Sequence, residues 1–127
     1  MAEVKRQVQG LGIGDQVRFT GYLDGDDKLQ AYQAASVYVL PSAYEMFAIT
    51  LLESLACGTP IIATDRCGLA DFVRQNDLGS IVTYGDVGGL KNEITRILYR
   101  QYVLDHFGWD SIAENWLKVY KACAAGR

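Results

Sequence analysis

Short apolar runs alternate with stretches of helical periodicity along most of the chain, the pattern of a parallel sheet covered by helices. Val17–Thr20 reads as a first strand, ended by Gly21. Asp26 or Asp27 can cap a helix that carries Leu29 and Tyr32 on one face. Val37–Leu40 reads as a second strand closed by Pro41, and Phe47–Ala56 as a helix that Gly58 terminates. Pro60–Thr64 is almost wholly apolar, as a strand covered on both faces is. A short helix near Leu69–Arg74 and a further strand at Ser80–Thr83 follow. Two helices complete the pattern. The first sets Val87, Leu90, Ile94, Ile97 and Leu98 on one stripe. The second repeats Trp109, Ile112, Ala113, Trp116, Leu117 and Tyr120 at helical spacing, and Ser111 with Glu114 has the capping-box spacing that places its start there. A stripe of this period predicts inward packing, yet its tryptophans and tyrosine need a large surface to pack on.

Composition narrows the class. The 127 residues are 50% hydrophobic and 21% charged, which fits one folded domain able to bury about two-thirds of its unfolded surface. Lysine plus arginine number 12 against 15 acidic residues, a net charge of −3. That balance argues against a sequence-independent nucleic-acid binder or a basic membrane-surface protein. No signal peptide and no window apolar enough for a transmembrane helix stand out, so a cytoplasmic location is expected. Cys57, Cys67 and Cys123 are odd in number and lack zinc-site spacing, which points to a reducing compartment. Cys57 lies in an apolar stretch and reads as a small core residue, and the lone His106 reads as structural. No metal site is expected.

The chemistry concentrates in PSAYEMFAITLLESLACGTPIIATD, residues 41–65. A strand runs into a loop bearing Glu45, and a helix then opens with its N-terminus toward the strand's carboxyl end. Such a helix end offers unpaired N–H groups and a partial positive charge, suited to phosphate. Glu53 lies about two turns along, on the order of 8 Å from the predicted helix start. Two carboxylates thus flank a place where a diphosphate can rest, and carboxylates accept hydrogen bonds from sugar hydroxyls. A nucleotide sugar has a shape to match.

This segment closely resembles the signature of the retaining glycosyltransferases of the GT-B fold, family 4-like, the glycosyl transferases group 1. Pro41, Ser42, Glu45, Phe47, Glu53, Gly58 and Pro60 all fall in that family's register. Phe19-Thr20-Gly21 resembles its strand ending Phe-x-Gly, Gly79–Val82 its Gly-x-Leu-Val strand, and residues 107–120 its terminal helix. Two positions depart from the pattern. Ala48 stands where the family has glycine, so a methyl group could crowd a sugar hydroxyl, and Cys67-Gly68-Leu69-Ala70-Asp71 replaces Gly-Gly-x-x-Glu.

The resemblance implies a partial Rossmann-like α/β domain with a parallel sheet of about four strands and flanking helices. Its first two strands, with the Arg and Lys that follow the first and clamp the diphosphate, have no counterpart in these residues. The resemblance further implies that Glu45 holds the hexose near its anomeric carbon as the catalytic residue. The amides of Ile49 and Thr50, in the Phe47-Ala48-Ile49-Thr50 segment, would receive the diphosphate. Glu53 would accept from the ribose hydroxyls, and Gly21, Tyr22 and Leu23 would border the base with Lys28 nearby. The donor is a UDP-, GDP- or ADP-linked hexose used as substrate, with no cofactor.

Residues 1–127 are expected to form a single partial donor-binding domain whose helix over 109–127 crosses to an acceptor domain absent from the chain. A piece of a longer transferase, inactive alone and in full length peripheral at the membrane, is the leading expectation. The alternative is a non-catalytic nucleotide-sugar-binding subunit of a split transferase. With the missing strands belonging between Val17–Thr20 and Val37–Leu40, the first of these is expected either to re-pair with the second or to lie at an exposed edge, open to self-association.

Overall fold

The computed structural model describes residues 1–125, apart from the side chains of Phe107, Trp109 and Ser111. The chain runs α1 (Ala2–Gly10), a 3-10 turn at Gly14–Gln16, α2 (Gly25–Ala34), β1 (Tyr38–Leu40), α3 (Ile49–Ala56) and β2 (Ile61–Thr64). It continues through α4 (Ala70–Gln75), β3 (Gly79–Val82), α5 (Val87–Phe107) and α6 (Trp109–Ala125). The strands form one parallel sheet in the order β1-β2-β3, with Ile61 opposite Tyr38 on one side and Gly79 on the other. Central β2 is buried at all four residues, which explains its unbroken apolar run.

The core lies between this sheet and α3 and α4. Ala48, Leu51, Ile61, Ala63, Cys67 and Val73 form its buried centre, with Tyr38, Leu40, Leu55, Leu69, Leu78 and Ile81 packed around them. Thr59 ties two elements together at the base of β2: its hydroxyl donates to the carbonyl of Tyr32 at 2.6 Å. Gly58 ends α3 at φ +80°, the left-handed conformation expected of a helix-terminating glycine.

Several expectations are corrected. The sheet among the described residues has three strands, because Val17–Thr20 forms none. Val17 is extended, at φ −117° and ψ 118°, but the segment neither re-pairs with β1 nor forms an edge strand. A strand exists through hydrogen bonds to a neighbour, and a periodic pattern cannot supply the neighbour. Phe19 is instead 39% exposed beneath Lys5 of α1, whose ammonium lies 5.4 Å from the ring centre. Asp24, rather than Asp26 or Asp27, caps α2 by accepting from the amide of Gly25 at 2.8 Å. Leu29 is exposed while Tyr32 is buried, so the two do not share an inward face.

Cys67, not Cys57, is the buried core thiol; Cys57 follows α3 and is half-buried. His106 packs on Tyr102, with ring centres 4.0 Å apart and its Nδ1 2.9 Å from the Tyr102 carbonyl oxygen. On α5, Leu90, Ile94 and Ile97 turn partly inward but Val87 and Leu98 are exposed. The α6 stripe is not core: Trp116 is 70% and Tyr120 75% exposed, because α6 packs on α5 and not on the sheet. That helix begins at Trp109, ahead of Ser111. The Ser111–Glu114 capping box and the packing of Trp109 lie outside the described residues.

Candidate functional site

Two loops and two helices meet at the carboxyl end of β1. α3 opens two residues later than its sequence predicts, at Ile49, with Ala48 preceding it. Glu53 therefore sits one turn into the helix, about 6 Å along its axis, on the same face as Ile49. On α2, Lys28 and Tyr32 share a face by their spacing of four, and α2 lies against α3. Between them runs a groove of about 560 Å³, lined by Gly21, Tyr22, Leu23, Lys28, Ile49, Thr50 and Glu53 together with Ala31, Tyr32, Ala35 and Tyr38.

The groove is polar at one place. Glu53 accepts from the Lys28 ammonium at 2.7 Å through Oε1 and from the Tyr32 hydroxyl at 3.2 Å through Oε2. The Lys28 hydrogen bond is the main force holding the Glu53 carboxyl below its ordinary range, helped by Tyr32 against some desolvation. The same pairing pushes Lys28 up. Burial, then the bond to Glu53, pushes the Tyr32 phenol up to about 12. Tyr32 is further fixed by an edge-on contact with Tyr38, their ring centres 5.5 Å apart. The rest of the lining is largely apolar.

Glu45 stands outside the groove lining, in the loop between β1 and α3. Its position is set by backbone. Its amide donates to the Arg66 carbonyl at 3.2 Å, its carbonyl accepts from the Gly68 amide at 2.7 Å, and the pair Glu45–Cys67 forms an isolated parallel bridge. A Cβ on Gly68 would fall well inside contact distance of the Met46 carbonyl oxygen, so only glycine lets the two loops approach this closely. The Glu45 carboxylate accepts from the Phe47 amide at 3.3 Å, on the approach to α3.

The amides at the start of α3 are not equivalent. That of Ile49 already donates to the Phe47 carbonyl at 2.9 Å, whereas that of Thr50 has no partner among the described residues. Ala48 is 2% exposed and belongs to the buried core cluster. Phe47 is exposed. Asp71 points to solvent and pairs with Arg74 at 3.1 Å.

Seven of the sequence-singled residues thus line one groove, while Glu45, Phe47 and Ala48 lie beyond its head. Lys28, expected near a base, is bound to Glu53. Tyr32 is the residue sequence reasoning missed: it was read as an apolar face, although its spacing of four from Lys28 placed both on one side of α2. No cluster of His, Cys, Asp or Glu able to hold a metal occurs among the described residues, and no described helix is long and apolar enough to cross a membrane.

Residues 1–108 match the family described as Glycosyl transferases group 1. The chain belongs to this family. It is 31% identical over 123 residues to an uncharacterized glycosyltransferase of Methanocaldococcus jannaschii, covering 87% of this chain and 32% of that one. It is 34% identical over 129 residues to a D-inositol 3-phosphate glycosyltransferase of Acidothermus cellulolyticus, covering 92% and 28%. Among solved structures, sucrose-phosphate synthase from Thermosynechococcus elongatus superposes with a TM-score of 0.71 at 33% identity, covering 99% of this chain and 35% of that one. The chain therefore spans about a third of the length of the relatives it matches, and its fold is that of part of a GT-B Rossmann-like domain.

Proposed function

We propose that this chain forms the donor-binding part of a retaining glycosyltransferase that moves a hexose from a nucleotide sugar to an acceptor held by residues outside these 127. The observation that carries the reading is the groove between α2 and α3, with a single anchored carboxylate, Glu53, on an otherwise largely apolar wall. In this reading Tyr22 and Leu23 border the base and Glu53 accepts from the ribose hydroxyls. The diphosphate rests at the head of α3, where the free Thr50 amide and the helix N-terminus stabilise charge that grows as the sugar departs. Glu45, whose carboxylate accepts from the Phe47 amide on the approach to α3, holds the hexose hydroxyls.

Departure of the diphosphate leaves positive charge on the sugar ring, so the chemistry asks for anion stabilisation at one side and a carboxylate at the other. In this chain the head of α3 serves the first and Glu45 the second. The isolated chain binds donor but does not turn it over, since the acceptor surface lies elsewhere.

Ligand-observed NMR on the chain with UDP-glucose, GDP-mannose and ADP-glucose tests this. One donor is expected to bind, and Glu53→Gln to weaken it about tenfold through loss of charge-assisted hydrogen bonds. A folded chain that binds none of the three, or that binds one equally well after the substitution, overturns the reading.

A further inference from the structure

Glu53 has four lone-pair directions, and its protein partners occupy two of them, one on each oxygen. A carboxylate on the wall of a groove is free to rotate unless both oxygens are held. Lys28 alone would leave it turning about its terminal bond, because an ammonium on a four-carbon stem follows the oxygen it binds. Tyr32 has no such freedom. Its ring is buried, set edge-on against Tyr38, and its own carbonyl is bound by Thr59 at 2.6 Å. The phenol is thus a fixed donor aimed at Oε2.

We infer that Tyr32 is a positioning residue that locks the Glu53 carboxylate in the orientation where its two remaining acceptor sites meet the vicinal hydroxyls of a ribose, making the groove selective for ribonucleotides over their dideoxy counterparts. This rests on the donor reading above and goes beyond it by assigning the selectivity to a side chain that acts through Glu53. Its phenol stays protonated through the ordinary pH range, with its pKa pushed up to about 12, so the hydroxyl acts only as a donor to Glu53. Phenylalanine at this position keeps the ring and its packing on Tyr38 while removing the one hydrogen bond.

The experiment titrates the 127-residue chain and its Tyr32→Phe and Glu53→Gln variants with UDP, GDP and ADP and with the 2′,3′-dideoxy form of whichever binds. Folding is checked by amide spectra. Tyr32→Phe is expected to weaken the ribonucleotide about three- to tenfold and leave the dideoxy form unchanged. A loosened fold would weaken both alike, and that result overturns the inference, as does a Tyr32→Phe chain with undiminished selectivity. If Glu53→Gln abolishes the selectivity while Tyr32→Phe keeps it, the donor reading stands and this inference falls. If no diphosphate binds, or Glu53→Gln changes nothing, both fall.

Discussion

Between Tyr38 and Val82 every strand has a neighbour, and the chain buries β2 completely along with Leu51, Val73 and Cys67. Between Ala2 and Leu23 the chain also takes up ordered backbone, a nine-residue helix and a 3-10 turn, yet buries no residue. The difference is one of partners and not of local preference. Helix α1 satisfies its interior backbone groups through bonds within its own turns. The extended segment Val17–Thr20 has no such resource. The groove sits where these two regions meet, with Gly21, Tyr22 and Leu23 from the poorly packed one facing Ile49, Thr50 and Glu53 from the well-packed one. One wall therefore comes from segments anchored by buried residues and the other from a segment that buries none.

The sharpest way to break this comparison is to remove core from the packed region. Leu51 is fully buried between α3 and the sheet. Leu51→Ala is expected to lower stability by about 2–5 kcal/mol, the transfer term plus the cavity left behind. Urea denaturation followed by circular dichroism measures it. A loss below about 1 kcal/mol would mean the region collapses around the cavity, and the contrast in packing would be overstated.

A smaller effect is expected where the packed region shapes the site. Gly68→Ala forces apart the loops joined at the Glu45–Cys67 bridge, since its methyl group would meet the Met46 carbonyl. The expected cost is about 1–3 kcal/mol. The informative readout is local: amide resonances of Glu45 and Phe47 should move while those of β2 stay. Uniform small shifts, or none at Glu45, would show that the carboxylate is positioned by something other than this bridge.

How much of this was legible follows the same division. β1, β2 and β3 were readable because a strand in a parallel sheet announces itself as an apolar run, and Pro60–Thr64 is the plainest case. The α3 segment was readable from its apolar helix ended by Gly58, whereas Gly21, Tyr22, Leu23, Lys28, Ile49 and Thr50 were singled out only through the family resemblance. What could not be read depended on the rest of the fold. Val17–Thr20 has strand composition but no partner. The α6 stripe has core periodicity, yet Trp116 and Tyr120 face outward because no layer covers them. Tyr32 looked like an apolar anchor, and only the approach of α2 to α3 turned its hydroxyl into a ligand for Glu53. The burial of Ala48 in the core likewise depends on the sheet it packs against and not on its place in the motif.

The smallest expected effect tests the other half of the comparison. Val4 lies on α1, 48% exposed, on a helix with no buried residue. Valine and serine lie close on the helix-propensity scale, so Val4→Ser changes little but an apolar contact. If α1 is held only by its own backbone, stability should move by no more than about 0.5 kcal/mol. Its midpoint in urea should then be independent of protein concentration. A loss above about 1 kcal/mol at high protein concentration, shrinking as the chain is diluted, would carry a different meaning. It would say that the apolar residues of α1 and the open edge of β1 are covered in solution by a second copy, and that the groove wall at Gly21, Tyr22 and Leu23 is supported by association and not by this chain alone.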